Sequence, residues 1–209
     1  MSEVVLYDFW RSSASYRVRI ALSLKGVAYR RVPMDLTKGE QSGPDYVAIN
    51  PQGLVPALAI DGLLLTQSLA IIDYLDAKHK SPPMVSSDPA ARSRTLAQAL
   101  LIAADIHPLN NLRVLGYLRR ELGQGEEAIS SWYRHWIAEG FAALEQQAPA
   151  NGLFGGDSPN LADVCLVPQM ANARRFDTPL EAYPRLVAID AALRAIPAFA
   201  AAAPEAVQS

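Results

Sequence analysis

The composition of the chain changes abruptly near residue 83, and this change sets the strongest limit on its fold. Of the 34 alanines in 209 residues, 8 lie in residues 1–83 and 26 in the remaining 126. Because alanine has the highest intrinsic helix propensity, the second part is predicted to be almost entirely helical. Residues 81–87 contain two prolines and three serines without periodicity, which is typical of a linker. The sequence therefore predicts a mixed α/β part followed by an all-helical part.

Strand and helix signals alternate in the first part. A short apolar run precedes three serines suited to a helix start, and this helix is predicted to end at Lys25-Gly26. A second strand completes a β-α-β unit, whose strands are expected to be parallel. Asp61-Gly62 predicts a hairpin turn between two further strands, and Gln67-Ser68 begins another helix. The predicted strands are 4–7, 29–33, 57–60 and 63–66, and residues 34–45 are predicted to form a loop.

Capping signals divide the second part into helices. Asp88 is a good N-cap residue, and Pro89 suits the first helical position. Asn160 and Asp163 have the spacing of a capping box. The predicted helices span residues 88–118, 126–147, 161–175 and 184–196.

Charge and composition exclude several classes of function. The 19 basic and 21 acidic residues give a net charge of −2, so no basic face for nucleic acid is predicted. No apolar run reaches the length of a membrane span, and residues 1–11 lack a signal-peptide pattern. The single Cys165 favours a reducing cytoplasm, and His79, His107 and His135 lie too far apart in sequence for a zinc motif. We therefore expect a cytoplasmic protein that binds neither nucleic acid nor membrane and holds no metal.

One segment identifies a family. Residues 12–22 read Ser-Ser-Ala-Ser-Tyr-Arg-Val-Arg-Ile-Ala-Leu, which resembles the signature S-S-C-S-x-R-V-R-I-A-L of the zeta class of glutathione transferases. The Val-Pro and Gln-Ser pairs are shared more widely among glutathione transferases, and the resemblance spans nearly the whole chain. The further matching segments are Asn50-Pro51, Val55-Pro56, residues 67–72, residues 106–112 and residues 163–169.

The resemblance implies an architecture and an activity. The expected fold is α/β plus all-α, with a thioredoxin-like glutathione-binding domain at 1–83 and a C-terminal helical bundle at 88–209 that completes the substrate pocket. The expected reaction is glutathione-dependent cis–trans isomerisation of maleylacetoacetate to fumarylacetoacetate, a step of tyrosine and phenylalanine degradation. Glutathione is then a cofactor, because it is regenerated, and the protein is expected to form a homodimer.

The helix start at Ser12 is expected to hold the glutathione sulfur. A hydroxyl there can donate to a thiolate, and the helix dipole favours the negative charge. Spacing alone favours a simple N-cap that contacts only backbone, and the wider resemblance reverses this preference. Ser13 and Ser15 can fill the same role, with Ser12 the first choice and Ser13 the second. Ala14 departs from the cysteine of the family, so no protein thiol is available for catalysis at this position. Arg17 and Arg19 of the signature are expected on helix faces directed away from this start, where they serve domain packing.

Other residues are expected to bind the rest of glutathione. By resemblance, Val55 precedes a cis-proline, Pro56, and its backbone pairs with the cysteinyl part like an added strand. Gln67 and Ser68 are expected to hold the γ-glutamyl carboxylate at a helix start, where free N–H groups and the dipole attract anions. A plain serine cap has the same sequence pattern. Gln41 is expected to reach the glycyl end.

Arginines are the expected ligands of the second substrate, which carries a carboxylate and ketone oxygens. The guanidinium fork binds carboxylates bidentately. Arg11 adjoins the predicted sulfur site, Arg113 follows the motif at 106–112, and Arg175 matches a family position. His107 and Asn111 lie four residues apart on a predicted helix, so they are expected to share one face and to contact glutathione.

Three alternatives to this activity stay open at the level of sequence. A maleylpyruvate isomerase of aromatic-acid degradation uses the same chemistry on a different acyl chain. A broader transferase would conjugate small haloacids or other electrophiles. A module that serves only in protein interaction is a different class of function, but it has no need of Ser12, Pro56, Gln67 and Ser68 together.

Overall fold

The computed structural model describes residues 3–208, and its first compact unit is built on a four-stranded sheet. The strand order is β2-β1-β3-β4, with β1 and β2 parallel and the other neighbours antiparallel. The strands are β1 Val5–Asp8, β2 Arg30–Pro33, β3 Ala57–Ile60 and β4 Leu63–Thr66. The helices among them are α1 Ser13–Leu24, α2 Pro44–Ile49 and α3 Ser68–Lys78. The predicted thioredoxin-like arrangement is confirmed, with one helix added.

A short 3-10 turn at Glu40–Ser42 and the first two residues of α2 lie within the loop predicted at 34–45, and the rest of α2 was not predicted. Pro44 occupies the first turn of α2, where its missing N–H costs nothing. The helix is only six residues long, so packing must stabilise it. Tyr46 is buried and donates its hydroxyl hydrogen to the Leu54 carbonyl at 2.7 Å. Helix α2 therefore anchors the chain just before Pro56.

The end of the chain packs with the first unit, which differs from the expected domain at 88–209. Residues 196–208 form α9 (Pro197–Ala202) and α10 (Pro204–Val207), and α9 contacts α1. Backbone carbonyls of this segment accept three hydrogen bonds, from Tyr16 Oη to Phe199 at 3.4 Å, from Arg19 Nε to Ala202 at 2.9 Å and from Arg31 Nη1 to Val207 at 2.6 Å. The boundary follows these contacts, which alanine-rich sequence does not encode.

A buried ion pair fixes the end of β1. Asp8 accepts from Arg19 Nη1 at 2.6 Å and from Arg31 Nε at 2.7 Å, and the side chains of Asp8 and Arg19 are fully buried. Arg19 Nη2 also donates to the Trp10 carbonyl at 3.0 Å. The expected packing role of Arg19 therefore takes place in the core of this unit, where a buried charge requires such partners. Its contact with Trp10 holds the loop that leads to Ser12.

The second unit, residues 84–195, is helical as predicted. Its helices are α4 Pro89–Leu100, α5 Leu112–Arg120, α6 Glu126–Gln147, α7 Leu161–Arg175 and α8 Pro184–Arg194. Asp88 caps α4 by accepting from the Ala91 backbone N–H at 2.7 Å. The predicted bounds of α6 and α7 are confirmed, and α8 ends two residues before the predicted position.

The prediction of one continuous helix over 88–118 is wrong. A π-helical segment, Leu101–Ile106, and a 3-10 turn, Pro108–Asn110, separate α4 from α5. Pro108 supplies no N–H and crowds the preceding turn, and Asn111 then caps a new helix. Because of this break, His107 lies at the end of the π-helical segment, whereas Asn111 is the N-cap of α5.

The start of α7 is held by the predicted capping box. Asn160 Oδ1 accepts from the backbone of Ala162 and Asp163, and the Asp163 carboxylate accepts in return from the Asn160 N–H at 2.9 Å. Asp163 also accepts from the N–H groups of Phe154 at 3.0 Å and Gly155 at 2.9 Å. One buried carboxylate thus ties the preceding loop to the helix.

Two features of residues 3–208 concern the possibility of a membrane span and of a metal site. None of the helices there combines the length and the apolar character needed to cross a bilayer. Within the same range, no three His, Cys, Asp or Glu side chains come together in the way that a metal ion requires.

Candidate functional site

The hydroxyl at the start of α1 has two uses available to it. Ser12 is the N-cap, and its Oγ accepts from the Ser15 backbone N–H at 3.2 Å. A hydroxyl that accepts through its oxygen still carries its own hydrogen. Ser12 can therefore cap α1 and donate outward to an anion at the same time, so the two interpretations of the sequence do not exclude each other.

Exposure distinguishes the three serines of the motif. Ser12 is half-buried, whereas Ser13 and Ser15 are buried within the first turn of α1. No acidic residue lies in that turn, so the positive end of the helix dipole is not neutralised there. Geometry therefore favours Ser12 over Ser13 as the donor to a ligand.

The Val55–Pro56 peptide bond is cis, as the resemblance implies. Val55 lies two residues before β3, it is 9% exposed, and it packs with Phe9, Tyr46 and Ala57. Among the described residues, the backbone N–H and C=O of Val55 make no hydrogen bond. Since nearly all buried backbone groups have partners, this short segment is suited to pairing with an extended peptide-like ligand.

The start of α3 is the second place that suits an anion. The N-cap residue Gln67 has a positive φ of 66° and makes no side-chain capping bond, and its Nε2 donates to Gln52 Oε1 at 2.9 Å. Ser68, the first helical residue, is buried, and the first turn contains no acidic residue. The N–H groups of this turn therefore have no side-chain cap from Gln67 and are available to a ligand.

Gln41 lies in the 3-10 turn before α2 and beside the turn that ends at Gly53. Its Oε1 is buried and has no hydrogen-bond partner in the part of the chain that the structure describes. Gly53 has a φ of 60°, and a Cβ there would lie 3.0 Å from the Gln41 carbonyl oxygen, so this approach requires glycine. A buried amide oxygen without a partner is suited to accept from a ligand N–H.

The expected pairing of His107 with Asn111 on one helix face is wrong, because the helix ends between them. His107 is half-buried at the end of the π-helical segment, and Asn111 is the N-cap of α5. Asn111 Oδ1 accepts from the Arg113 backbone N–H at 3.0 Å. The amide oxygen of Asn111 is thus engaged in its own helix, and its amide nitrogen is left for other contacts.

The three arginines predicted to bind substrate are all exposed. Arg11 lies over the rings of Phe9 and Trp10, at 5.5 Å and 4.9 Å from their centroids. Arg113 lies in the first turn of α5, where the helix dipole disfavours a cation and favours an anion beside it. An anionic ligand there would be stabilised by both the guanidinium and the helix.

Arg175 is held in place by aromatic groups. Its guanidinium lies 5.0 Å from the centroid of Phe176, and Nη2 donates to the Tyr133 hydroxyl at 3.5 Å. The rings of Tyr133 and Phe176 are stacked at 3.5 Å. Burial raises the pKa of Tyr133 although the neighbouring cation lowers it, so the phenol is protonated at neutral pH. The pair gives Arg175 a defined orientation.

One residue beside this site escaped prediction as a site residue. Arg17 is fully buried in α1, and its Nη1 donates to Ser68 Oγ at 3.3 Å. Arg17 was expected to serve packing, on a helix face directed away from the start of α1, and its contact with Ser68 was not predicted. Its place four residues from Ala21 and seven from Leu24, on the apolar stripe of the helix, indicated burial but not a partner.

Comparisons with known proteins identify the family of this chain. The model of the family "Glutathione S-transferase, N-terminal domain" matches residues 2–77. A maleylacetoacetate isomerase of Rhizobium meliloti is 51% identical over 207 residues, which cover 98% of this chain and 97% of that protein.

Two solved structures superpose along nearly the whole chain. The holo structure of a maleylpyruvate isomerase, described as a bacterial zeta-class glutathione transferase, has a TM-score of 0.94 at 45% identity and covers 97% of each chain. A maleylacetoacetate isomerase of Methylobacterium extorquens AM1 with bound malonate and glutathione has a TM-score of 0.93 at 40% identity, again over 97% of each chain. The chain therefore belongs to the zeta class of the glutathione transferases.

Proposed function

We propose that this protein is a glutathione-dependent isomerase that converts maleylacetoacetate to fumarylacetoacetate. The observation that carries the proposal is the 51% identity to a maleylacetoacetate isomerase along 97% of that protein. The likeness to a maleylpyruvate isomerase favours maleylpyruvate as the second candidate substrate. Both molecules are cis alkenes flanked by a ketone and a carboxylate, so the same side chains of the protein can act on either substrate.

The residues of the first unit fit a γ-glutamyl tripeptide. The Ser12 hydroxyl is proposed to donate to the sulfur, and the open backbone of Val55 to pair with the cysteinyl residue. The uncapped start of α3, at Gln67 and Ser68, is proposed to bind the γ-glutamyl carboxylate. The Gln41 amide oxygen, which lacks a partner among the described residues, suits the glycyl N–H. Each of these groups offers the hydrogen-bonding sense that the tripeptide requires.

The proposed mechanism divides the work between a thiolate and cationic side chains. Glutathione, when bound, supplies a thiolate that adds to the cis double bond and leaves after rotation. Ser12 and the start of α1 stabilise negative charge at the sulfur position. Full ionisation raises the thiolate fraction only about 30-fold at neutral pH, because a free thiol has a pKa of about 8.5. Enzymes commonly reach about 10⁶-fold or more, so substrate positioning and stabilisation of the developing oxyanion must supply the rest.

We assign that second part to arginines. Arg11, Arg113 and Arg175 are proposed to bind the substrate carboxylate and ketone oxygens, since each is exposed and positively charged. Half-buried His107 and the amide nitrogen of Asn111 are proposed as further glutathione contacts. Mutation of these arginines should raise the KM for the isomerisation substrate more than the KM for glutathione.

We also propose that the protein forms a homodimer and is located in the cytoplasm. Leu63 and Leu64 on the edge strand β4 are 49% and 41% exposed, which supports burial of this edge in a homodimer. Cys165, the single cysteine of the sequence, is buried and forms no internal disulfide, which fits a reducing cytoplasm.

Isomerisation of freshly prepared maleylacetoacetate, with and without glutathione, tests the proposal. We expect turnover that depends on glutathione and leaves its concentration unchanged, with a higher kcat/KM than maleylpyruvate gives in parallel. Coupled hydrolysis of the trans product measures the rate. A higher kcat/KM for maleylpyruvate would establish the second candidate. Consumption of glutathione by electrophiles, without isomerisation of either substrate, would contradict both.

Replacement of Arg113 by alanine should raise the KM for the isomerisation substrate about tenfold or more, because a charged hydrogen bond contributes about 1.5–3 kcal/mol. The KM for glutathione should stay within about twofold of the wild-type value. Arg120, an exposed arginine at the other end of α5, provides the control, and Arg120→Ala should leave both constants unchanged. An unaltered substrate KM in Arg113→Ala would remove Arg113 from the binding site.

A further inference from the structure

Arg17 reaches from one helix to the binding end of another. It belongs to α1, it is 1% exposed, and its Nη1 donates to Ser68 Oγ at 3.3 Å. Helices α1 and α3 pack against each other, and Ser68 is the first residue of α3. The guanidinium therefore lies one hydrogen bond from a hydroxyl in the first turn of α3, whose N-cap residue makes no side-chain capping bond. We infer that Arg17 is a positioning residue that sets the Ser68 hydroxyl as a donor and so selects a ligand bearing a carboxylate at this end of α3.

The bond to Arg17 decides which way the Ser68 hydroxyl works. A guanidinium has only donors, so Ser68 Oγ must be the acceptor in this contact. The hydroxyl hydrogen then points elsewhere. A serine in the first turn of a helix can otherwise turn its hydroxyl hydrogen to a nearby backbone carbonyl, and it would then offer a carboxylate only lone pairs. By occupying the oxygen as an acceptor, Arg17 fixes the orientation of the Ser68 hydroxyl and leaves its hydrogen for an anion.

Charge acts in the same direction. The free N–H groups of the first turn and the helix dipole are positive at this end of α3, and neither Gln67 nor an acidic first-turn residue neutralises them. A buried guanidinium adds a positive charge one hydrogen bond behind the hydroxyl, in surroundings that screen it weakly. An anion bound here is stabilised by the N–H groups, the helix dipole and the guanidinium, whereas a neutral amide is stabilised by hydrogen bonds alone.

This inference rests on the proposed function, because it identifies the anion as the α-carboxylate of the γ-glutamyl residue. It goes beyond that function by assigning discrimination for the carboxylate to a residue that the ligand does not touch. The effect should appear in binding and in the KM for glutathione. The kcat at saturating glutathione should not change, since the reacting sulfur belongs to another residue of the tripeptide.

The test compares two tripeptides by calorimetry. Glutathione carries the α-carboxylate, and 4-aminobutyryl-cysteinylglycine retains the amine and lacks only that carboxylate. Wild type should bind glutathione at least about tenfold more tightly than the analogue, as expected for a charge-assisted hydrogen bond. Arg17→Met should weaken glutathione binding by about that factor and leave analogue binding unchanged. A purely structural role of Arg17 would instead weaken both tripeptides equally.

Two further variants keep the test decisive if Arg17→Met does not fold. Arg17→Lys keeps the charge but not the fork, and it should show a smaller preference for glutathione over the analogue than wild type. Ser68→Ala removes the hydroxyl and should lose the preference while retaining the analogue affinity. Arg30→Met, at an exposed arginine of the same unit, is the matched control and should behave as wild type.

The outcomes separate the inference from the function on which it rests. Wild type that binds glutathione and the analogue equally overturns the role of Arg17 and leaves the proposed isomerase standing. A preference that survives in both Arg17→Lys and Ser68→Ala overturns it as well. Wild type that binds neither tripeptide overturns the proposed function itself.

Discussion

Replacement of Ser12 by glycine should lower kcat about tenfold or more at pH 7, with the Kd for glutathione within about threefold of wild type. In the proposed site the Ser12 hydroxyl donates to the sulfur anion, while its oxygen caps α1 by accepting from the Ser15 N–H. Without that donor the bound thiol should approach the ordinary pKa of about 8.5, at which only about 3% is ionised at neutral pH. The loss from ionisation alone cannot exceed about 30-fold.

Glycine is the informative replacement because it removes the hydroxyl, and so tests its effect on catalysis, with little loss of helix stability. Alanine at an N-cap costs about 1 kcal/mol of stability, whereas glycine costs only a few tenths. Ser12→Thr retains both the hydroxyl and the cap and should keep most of the activity. Ser13→Ala should also keep it, because Ser13 is buried in the first turn of α1.

The pH profile gives the decisive readout for Ser12. As the pH rises towards 9, solvent deprotonates the thiol without help, so the activity of Ser12→Gly should approach that of wild type. Ionisation of glutathione can be followed directly by thiolate absorbance in the ultraviolet. A deficit that stays constant across this pH range would contradict the assigned role, as would a loss confined to glutathione binding.

Elements that are marked by local chemistry could be predicted from the sequence. The strands at 57–60 and 63–66 were predicted with their observed bounds because Asp61-Gly62 fixes the two-residue turn between them. The start of α7 was predicted because Asn160 and Asp163 cap it reciprocally. In each case the signal and the structure lie within a few residues of each other.

Elements that depend on distant contacts could not be predicted. Helix α2 owes its stability to packing of Tyr46. The break in the helix predicted over 88–118 is different, because Pro108 is a local signal for it that the prediction overlooked. Residues 196–208 join the first unit through carbonyls that accept from side chains of α1 and β2. Propensity and periodicity describe single segments and carry no information about such partners.

The same division holds within the candidate site. Ser12 and Ser68 could be named because they begin helices, where free N–H groups attract anions whatever the rest of the fold does. Arg17 was expected only to serve packing, because its contact with Ser68 joins two helices through residues 51 positions apart in the sequence. A buried cation in an otherwise apolar stripe indicates some polar partner, and only the structure shows which one.

Replacement of Asp163 by alanine should destabilise the protein by about 3 kcal/mol or more. Three backbone N–H groups, those of Phe154, Gly155 and Asn160, would lose their common acceptor, and a hydrogen bond to a charged group contributes about 1.5–3 kcal/mol. Urea unfolding at pH 7 measures the loss. Asp157, an exposed carboxylate of the same loop, is the control, and Asp157→Ala should change stability by less than about 0.5 kcal/mol.

The pH dependence of this contribution has a definite sign. Burial raises the pKa of Asp163 to about 6, although the three N–H donors pull it down. An unfolded aspartate titrates near 3.9, so the folded state binds the proton more tightly. The residue therefore stabilises the fold most below pH 4 and loses that contribution, about 3 kcal/mol, as the pH rises through 6.

Asp163→Asn isolates this titration because asparagine keeps one acceptor oxygen and does not ionise. Its stability at pH 7 should lie between those of wild type and Asp163→Ala, since its amide nitrogen must face a backbone donor. The stability gap between wild type and Asp163→Asn should widen as the pH falls from 7 to 4. A gap that narrows over this range would mean that the three N–H bonds outweigh burial, and that the carboxylate is held ionised at the start of α7.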